Sequence, residues 1–456
     1  MADEIPANIR RLHPEITAEA YQTLRALRQH PDGPRWNFEV GDKVTAEDLQ
    51  AVQAFRARQD VPDRFAAEPS DEILTWLQST RPRSWLLQEL LPDAPTSELR
   101  ARWSELPTMG REDLARRLPE VIPFDADLDR LIAYDTSGTT GHAIDVPTHP
   151  RTLALAHVLC EVALGAYGID AEFTAGETAC INVCAQENTY VFNNVFSVWN
   201  QATFAKVNLR EDQWPDGVDS ARRFFADLNP RFITSDPVAI AEMIRWELPI
   251  EPAAIFSTAV ALSPGLRDLA SEHFRCPVVD WYSVTETGPI AFAAPDGRGY
   301  RPITSDLFVE VIDPDGRPVP DGHWGELAVT GGRNPYVPLL RYRTGDRARH
   351  QDGRILDLDG RQAVAFRATD GTPVNPVDIA RVLRAHCAFV QHEFVQHRDG
   401  RCTLTIRPAP GLPVDTDLMA GLLRDLFGDD QPLEVRVDPD LGSTSKVLPY
   451  RSELKP

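Results

Sequence analysis

Apolar positions in roughly the first hundred residues recur at helical intervals and are interrupted by prolines. "SDEILTWLQST" and "SELRARWSEL" are examples, and both predict short helices. From Leu131 onward the pattern changes to apolar runs alternating with amphipathic stretches, the signature of α/β layers. "GETACINVC" and "PVVDWYS" read as buried strands, whereas "ARRFFADL" and "DPVAIAEMIRWEL" read as helices. In the latter, Asp236 and Pro237 supply a start signal. No fixed period joins these units, which excludes a solenoid.

Toward the C-terminus the units become smaller. "DLFVEVIDPDGRPVPDGHWGELAVTG" gives two strands around a Pro-Asp-Gly turn, followed by "RYRTGD" and a second turn in "QDGRILDLDGR". Then come a helix opened by Asn375 and Pro376, strands "FVQHEFVQH" and "RCTLTIRP", a helix in "DTDLMAGLLRDLFG" and a strand "LEVRV". Leu418, Leu422 and Leu426 fall on one face of that second helix. Together these form a small α+β unit of ordinary domain size. The expected architecture is α/β, with a large multi-layer domain over 1–361 whose sheets are flanked by helices, and a small α+β domain over 362–456.

Composition narrows the function. The chain has 456 residues, 42% hydrophobic and 25% charged, and its 38 prolines imply fixed loops rather than low complexity. A formal net charge of -21 argues against nucleic acid or an anionic membrane as partner, since both call for excess Lys and Arg. The N-terminal "MADEIPANIRRLHPE" has no apolar core and is not a secretory signal. "LALAHVLCEVALGAYGI" contains a His and a Glu and is short for a membrane span. A soluble, cytoplasmic protein is expected. Six cysteines spread over this length do not make a disulfide framework, and the Cys180–Cys184 spacing finds no second pair with which to hold zinc.

Three short stretches carry candidate chemistry. In "TSGTTG", Gly138 and Gly141 let the backbone turn its N–H groups inward, while Thr136, Ser137, Thr139 and Thr140 add hydroxyls, a combination suited to phosphate oxygens. The spacing is not that of a Walker loop and no lysine follows. In "DWYSVTETGP", Tyr282 can offer a flat face to a base, Thr285 a hydroxyl to a phosphate, and Glu286 an oxygen to Mg²⁺. In "YRTGD", Asp346 can accept both ribose hydroxyls. Each stretch alone is commonplace: a Ser/Thr/Gly loop and a solvated Thr-Glu pair at a strand end explain the first two equally well.

In this order, the three stretches, with "DGR" and the lysine of "GSTSKVLPYR", resemble the adenylate-forming (AMP-binding) enzymes over almost the whole chain. "WSELPTMGREDL" and "GELAVTGGRNPYVPLLRYRTGD" look most like the phenylacetate-coenzyme A ligase branch, which usually handles aromatic acids. The resemblance implies an active site between the two domains. Thr136 to Gly141 would close over the β- and γ-phosphates of ATP, Tyr282 would stack on adenine, and Asp280 would bond its amino edge. Asp346 would hold the ribose with Arg361 beside it, Glu286 would bind Mg²⁺, and Lys446 would be the catalytic lysine, bringing from the small domain the cation that the loop lacks. The implied activity is AMP-forming acid–thiol ligation, with ATP, Mg²⁺ and coenzyme A as cofactor and co-substrates.

Departures from the family's pattern raise alternatives. His142 stands where relatives most often have lysine, and Ala259 and Val260 fill a strand end that is glycine-rich elsewhere, implying a differently shaped acyl pocket. Ala363 replaces the usual hinge Asp, while Gly371 remains where relatives let a pantetheine chain pass. Tyr190 and Asn193, in "ENTYVFNNVFSVWNQ", are expected to line the acid pocket, although core packing explains such aromatics as well. The adenylate could instead pass to an amine or to a carrier-protein thiol acting in trans, and a homodimer is compatible with the sequence. A nucleotide-binding relative that has lost catalysis fits less well, because Glu286 and Lys446 are both retained.

Overall fold

The computed structural model describes residues 5–58, 61–135, 144–360, 364, 366–443 and 447–454. Within them, a mixed sheet of twelve strands forms the body. Thr178–Cys184, Ala202–Asn208, Phe232–Ser235, Ala254–Ser257 and Val278–Val284 pair in parallel, with Phe192–Phe196 added antiparallel at the edge. From Val278–Val284 the sheet continues as an antiparallel run through Gly288–Ala293, Tyr300–Pro302, Arg354–Asp359, Leu339–Gln351 and Trp324–Gly331 to Phe308–Ile312.

The parallel half is buried on both faces, which is why its strands read as continuous apolar runs. On one face Ile181, Ile233 and Ile255 pack with Phe224, Ile240 and Leu266 from helices Gly217–Leu228, Pro237–Arg245 and Pro264–Phe274. On the other, Cys180, Phe232 and Phe256 meet Leu159 and Ala163 of helix Pro150–Ala166. The capping signals hold: Asp236 accepts from the Ala239 N–H at 2.8 Å, and Asn375 from the Val377 N–H at 3.0 Å. Ser70 caps helix Asp71–Thr80, whereas "SELRARWSEL" breaks into an α-turn and a 3₁₀ turn at Arg102.

The smaller layer follows Gly360. Its four strands lie in the order Leu433–Val437, Cys402–Pro408, Phe389–Gln396, Tyr450–Ser452, covered by helices Pro376–His386 and Thr416–Phe427. In the second helix the inner stripe is Met419, Leu423 and Phe427, one residue on from the leucine stripe; Leu418 is 45% exposed. Both stripes have i, i+4 spacing, and Phe427, stacked on Phe394 at 5.3 Å, decides between them.

This layer docks through Val390 and Ala409, which join the core around Ile240 and Leu266. Arg407 adds an ion pair to Glu242 at 2.6 Å. The six cysteines are free and buried. Among the described residues, no helix is long and apolar enough to cross a membrane, and no cluster of three potential metal ligands forms.

Candidate active site

A cavity of about 910 Å³ lies between the large body and the smaller layer. Its walls come from strand Asp145–Thr148 and helix Pro150–Ala166, from the end of strand Ala254–Ser257, from the turn after Val278–Val284, and from the C-terminal strand of the small layer. Thr285, Asp346 and Ala259 all line it.

Thr136, Ser137, Gly138, Thr139, Thr140, Gly141, Arg361 and Lys446 lie outside the described residues, as do His142 and Ala363. The described residues bordering those segments nonetheless converge on the cavity. Tyr134 and Thr148 line it on either side of the first segment, Gly360 and Val364 on either side of the second, and Val447 after the third.

Glu286 sits just beneath the wall, 1% exposed. The hydroxyl of Tyr342 donates to its Oε1 at 2.6 Å, while Oε2 is buried and has no hydrogen-bond partner among the described residues. Burying a carboxylate oxygen unpaired costs on the order of 1–3 kcal/mol or more, so the position favours a missing cationic or donor partner.

The residue before Tyr342 is also unusual. Arg341 adopts φ 45 at a bulge opposite Thr330, an uncommon conformation for a side chain of this size. Its fully buried guanidinium is held by Glu310 at 2.9 Å and by the carbonyls of Leu106 and Gly316 at 2.7 and 2.5 Å.

Two expected nucleotide contacts are placed differently. Tyr282 is 8% exposed, packs with Val284, Ile290 and Leu307, and donates its hydroxyl to Asp346 Oδ2 at 2.8 Å. Asp280 accepts from the Tyr300 hydroxyl at 2.5 Å, and burial lifts its carboxyl to about 6 against that hydrogen bond. Neither forms part of the cavity wall. A register shift separates Tyr282 from Ser283, and beyond it Ser283, Val284 and Thr285 line the cavity.

Of the expected acyl-pocket residues, Ala259 lines the cavity with φ 70. Tyr190 and Asn193 do not. Tyr190 is 61% exposed and its ring lies tilted against Phe38 at 4.6 Å, and Asn193 lies in the edge strand Phe192–Phe196. The wall beside Ala259 comes from Val260 and, on helix Pro150–Ala166, Thr152, Leu153 and Ala156.

Several wall residues escaped the sequence reading. Arg384 donates to the Leu358 carbonyl at 3.2 Å and lies 3.8 Å from Asp359. His392 packs edge-on to Phe389 and Tyr450 at 5.1 and 5.3 Å; burial, helped by the Arg384 charge, pushes its pKa down to about 3. Their only sequence signal was position in an amphipathic helix and an alternating strand.

No family model matches the sequence. Among curated proteins, Protein CapK of Staphylococcus aureus is 22% identical over 317 residues, 65% of this chain and 66% of CapK. An acetyl-coenzyme A synthetase of Wolinella succinogenes is 31% identical over 103 residues, 21% of this chain and 15% of the synthetase. The chain thus spans less than two thirds of the curated relatives it matches.

Among solved structures, a 2-hydroxyisobutyryl-CoA ligase in the postadenylation state superposes with a TM-score of 0.61 at 16% identity, covering 84% of this chain and 90% of the ligase. A benzoate CoA ligase of Burkholderia xenovorans gives a TM-score of 0.50 at 15% identity, covering 71% and 69%. This chain has the fold of those acyl-CoA ligases, a large mixed α/β body with a small C-terminal α+β layer.

Proposed function

We propose that this chain is an AMP-forming ligase that activates a carboxylic acid with ATP to an acyl-adenylate and passes the acyl group to coenzyme A. The observation that carries the reading is Glu286: a buried carboxylate with one unpartnered oxygen, beside Thr285 in the wall of an interdomain cavity that also holds Asp346. Support comes from the order of the sequence motifs and from a fold shared with acyl-CoA ligases.

A carboxylate attacking the α-phosphate of ATP brings like charges together, so the reaction needs alignment and positive charge more than a general base. Glu286 and Thr285 fit a magnesium ion, and that ion would supply charge to neutralise phosphate oxygens. Thr136 to Gly141 hold the β- and γ-phosphates through backbone N–H groups and hydroxyls. Asp346 accepts from the ribose hydroxyls, oriented by Tyr282 and with Arg361 beside it. Lys446 places its ammonium group where charge develops between the carboxylate and the α-phosphate.

The acid is read as aryl or arylalkyl, in the cytoplasm, on the resemblance to the phenylacetate branch; Tyr190 and Asn193 lend this no support. Ala363 at the hinge position favours a second reading, transfer to an amine or to a carrier-protein thiol.

The test is ATP–pyrophosphate exchange over a panel of carboxylic acids, followed by product mass with and without coenzyme A. Acid-dependent exchange is expected, with a thioester formed when coenzyme A is present. Absence of exchange for every acid rules out adenylation and leaves a nucleotide binder. Exchange without thioester favours the second reading.

A further inference from the structure

Two walls of the cavity belong to distant parts of the chain. One, carrying Thr148 and Thr152, closes strand Asp145–Thr148 and opens helix Pro150–Ala166. The other is the turn from Thr285 to Pro289, which carries Glu286. A single buried dipeptide, Arg333–Asn334, bonds to both.

The Arg333 guanidinium donates to the carbonyls of Thr287 (3.5 Å) and Pro289, which flank Gly288 just after Glu286. Its remaining donors go to Asp306, at 2.9 and 2.6 Å, and to the Thr304 hydroxyl at 3.3 Å. Burial, the largest single influence, pulls the Asp306 carboxyl upward, but the charge and hydrogen bond of Arg333, together with the bonds from Thr304 and the backbone, hold the group below its ordinary range. The fork is therefore fixed by a charged partner and does not adapt to the turn.

On the other side, the Arg333 carbonyl accepts from the Thr152 hydroxyl at 3.3 Å. Asn334 donates to the Pro147 carbonyl at 2.9 Å and accepts from the His149 N–H at 3.5 Å. Arg333 and Asn334 are 6% and 1% exposed, so water does not substitute for these bonds.

We propose that Arg333 and Asn334 are positioning residues that set the spacing between the Thr148–Thr152 wall and the Glu286 turn, and through it the affinity of Glu286 for a divalent cation bound with nucleotide. The inference rests on the proposed adenylating function. Neither residue lines the cavity, and both act through the segments they hold.

The test is calorimetric titration of the full chain with ATP, with and without magnesium chloride, alongside the thermal midpoint. Arg333→Lys keeps the charge but cannot span Asp306 and both carbonyls. Its magnesium-free affinity for ATP is expected to stay within about twofold of the parent, while the gain in affinity on adding magnesium falls about tenfold, as expected for losing a charged, buried hydrogen bond. An undiminished magnesium-linked gain in the folded variant overturns the proposal.

Should Arg333→Lys not fold, Asn334→Ser, which removes the donation to Pro147 and leaves the ion pair, is read in the same titration with the same two outcomes. A parent protein that binds no ATP at all refutes the functional reading itself, a result distinct from variants that respond like the parent.

Discussion

Tyr342 donates its hydroxyl to one carboxylate oxygen of Glu286 at 2.6 Å and leaves the other oxygen buried without a partner among the described residues. Tyr342→Phe removes the donor and leaves both oxygens poorly solvated, costing about 1.5–3 kcal/mol as a bond to a charged group. A lower denaturation midpoint and a higher magnesium requirement for pyrophosphate exchange are expected together. Glu286→Gln should instead keep the fold while exchange falls by about a hundredfold or more. Wild-type exchange in Glu286→Gln contradicts the cation site.

If Lys446 is the catalytic lysine proposed above, Lys446→Ala is expected to abolish acyl-adenylate formation while ATP still binds, because its ammonium group would then act on charge that develops only in the transition state. Acid-dependent pyrophosphate release and equilibrium ATP binding separate the two effects. Undiminished release removes Lys446 from the mechanism.

Much of the scaffold was legible because its signals are local. Helix caps at Ser70, Asp236 and Asn375 and the apolar runs of the parallel strands need only neighbours in sequence to be recognised. The site's supports are different in kind. Tyr342 meets Glu286 across 56 positions, and Arg333 reaches Thr287 across 46, so no spacing rule reveals them. Tyr282 and Asp280 lie outside the cavity lining, next to a register shift that side-chain alternation alone does not foresee. Tyr190 is exposed and outside this cavity, and an aromatic beside asparagines reads the same in sequence on an exposed edge as in a pocket.

His392 contributes a pH dependence of known sign. Its folded pKa of about 3 lies below the ordinary 6.5, so the unfolded chain binds the proton more tightly. Stability from this group is full above 6.5 and is lost as pH falls from there toward 3, at up to about 1.4 kcal/mol per pH unit. His13 and His157, pushed down to about 4 by burial, act in the same direction. His392→Gln is expected to flatten the fall of the thermal midpoint between pH 6.5 and 4.5. A parallel curve for the variant shows that His392 does not titrate this way.

Ala259 faces the cavity in a left-handed backbone conformation, φ 70. Relief of that strain in Ala259→Gly gains about 1–2 kcal/mol, against about 0.5–1 kcal/mol lost to the freer unfolded chain. The two partly offset, so stability should rise by about 0–1.5 kcal/mol. The methyl group leaves the wall, and the variant is expected to accept bulkier acids in the exchange panel. An unchanged acid profile places the acyl group elsewhere in the cavity.

Gly265 tests whether docking of the small layer is needed for the first chemical step. It opens helix Pro264–Phe274, where Ser263 Oγ donates to the Phe389 carbonyl at 2.5 Å and accepts from the Phe389 N–H at 3.3 Å. A Cβ at position 265 would lie 2.3 Å from Ala388 Cβ and 2.8 Å from its Cα. The obstruction is partly backbone, so no side-chain rotation clears it. Helix propensity favours alanine by about 1 kcal/mol, so Gly265→Ala should leave the large body folded while forcing Ala388 and Phe389 outward. Phe389 and the adjoining His392 line the cavity, as do Val447 and Leu448 beyond Lys446. Pyrophosphate exchange is therefore expected to fall about tenfold or more, since small misplacements of positioned groups weaken catalysis on that scale. Limited proteolysis should cut more readily near Gly360. Full exchange in a variant whose small layer has demonstrably moved would mean that docking through Ala388 and Phe389 is dispensable for adenylation.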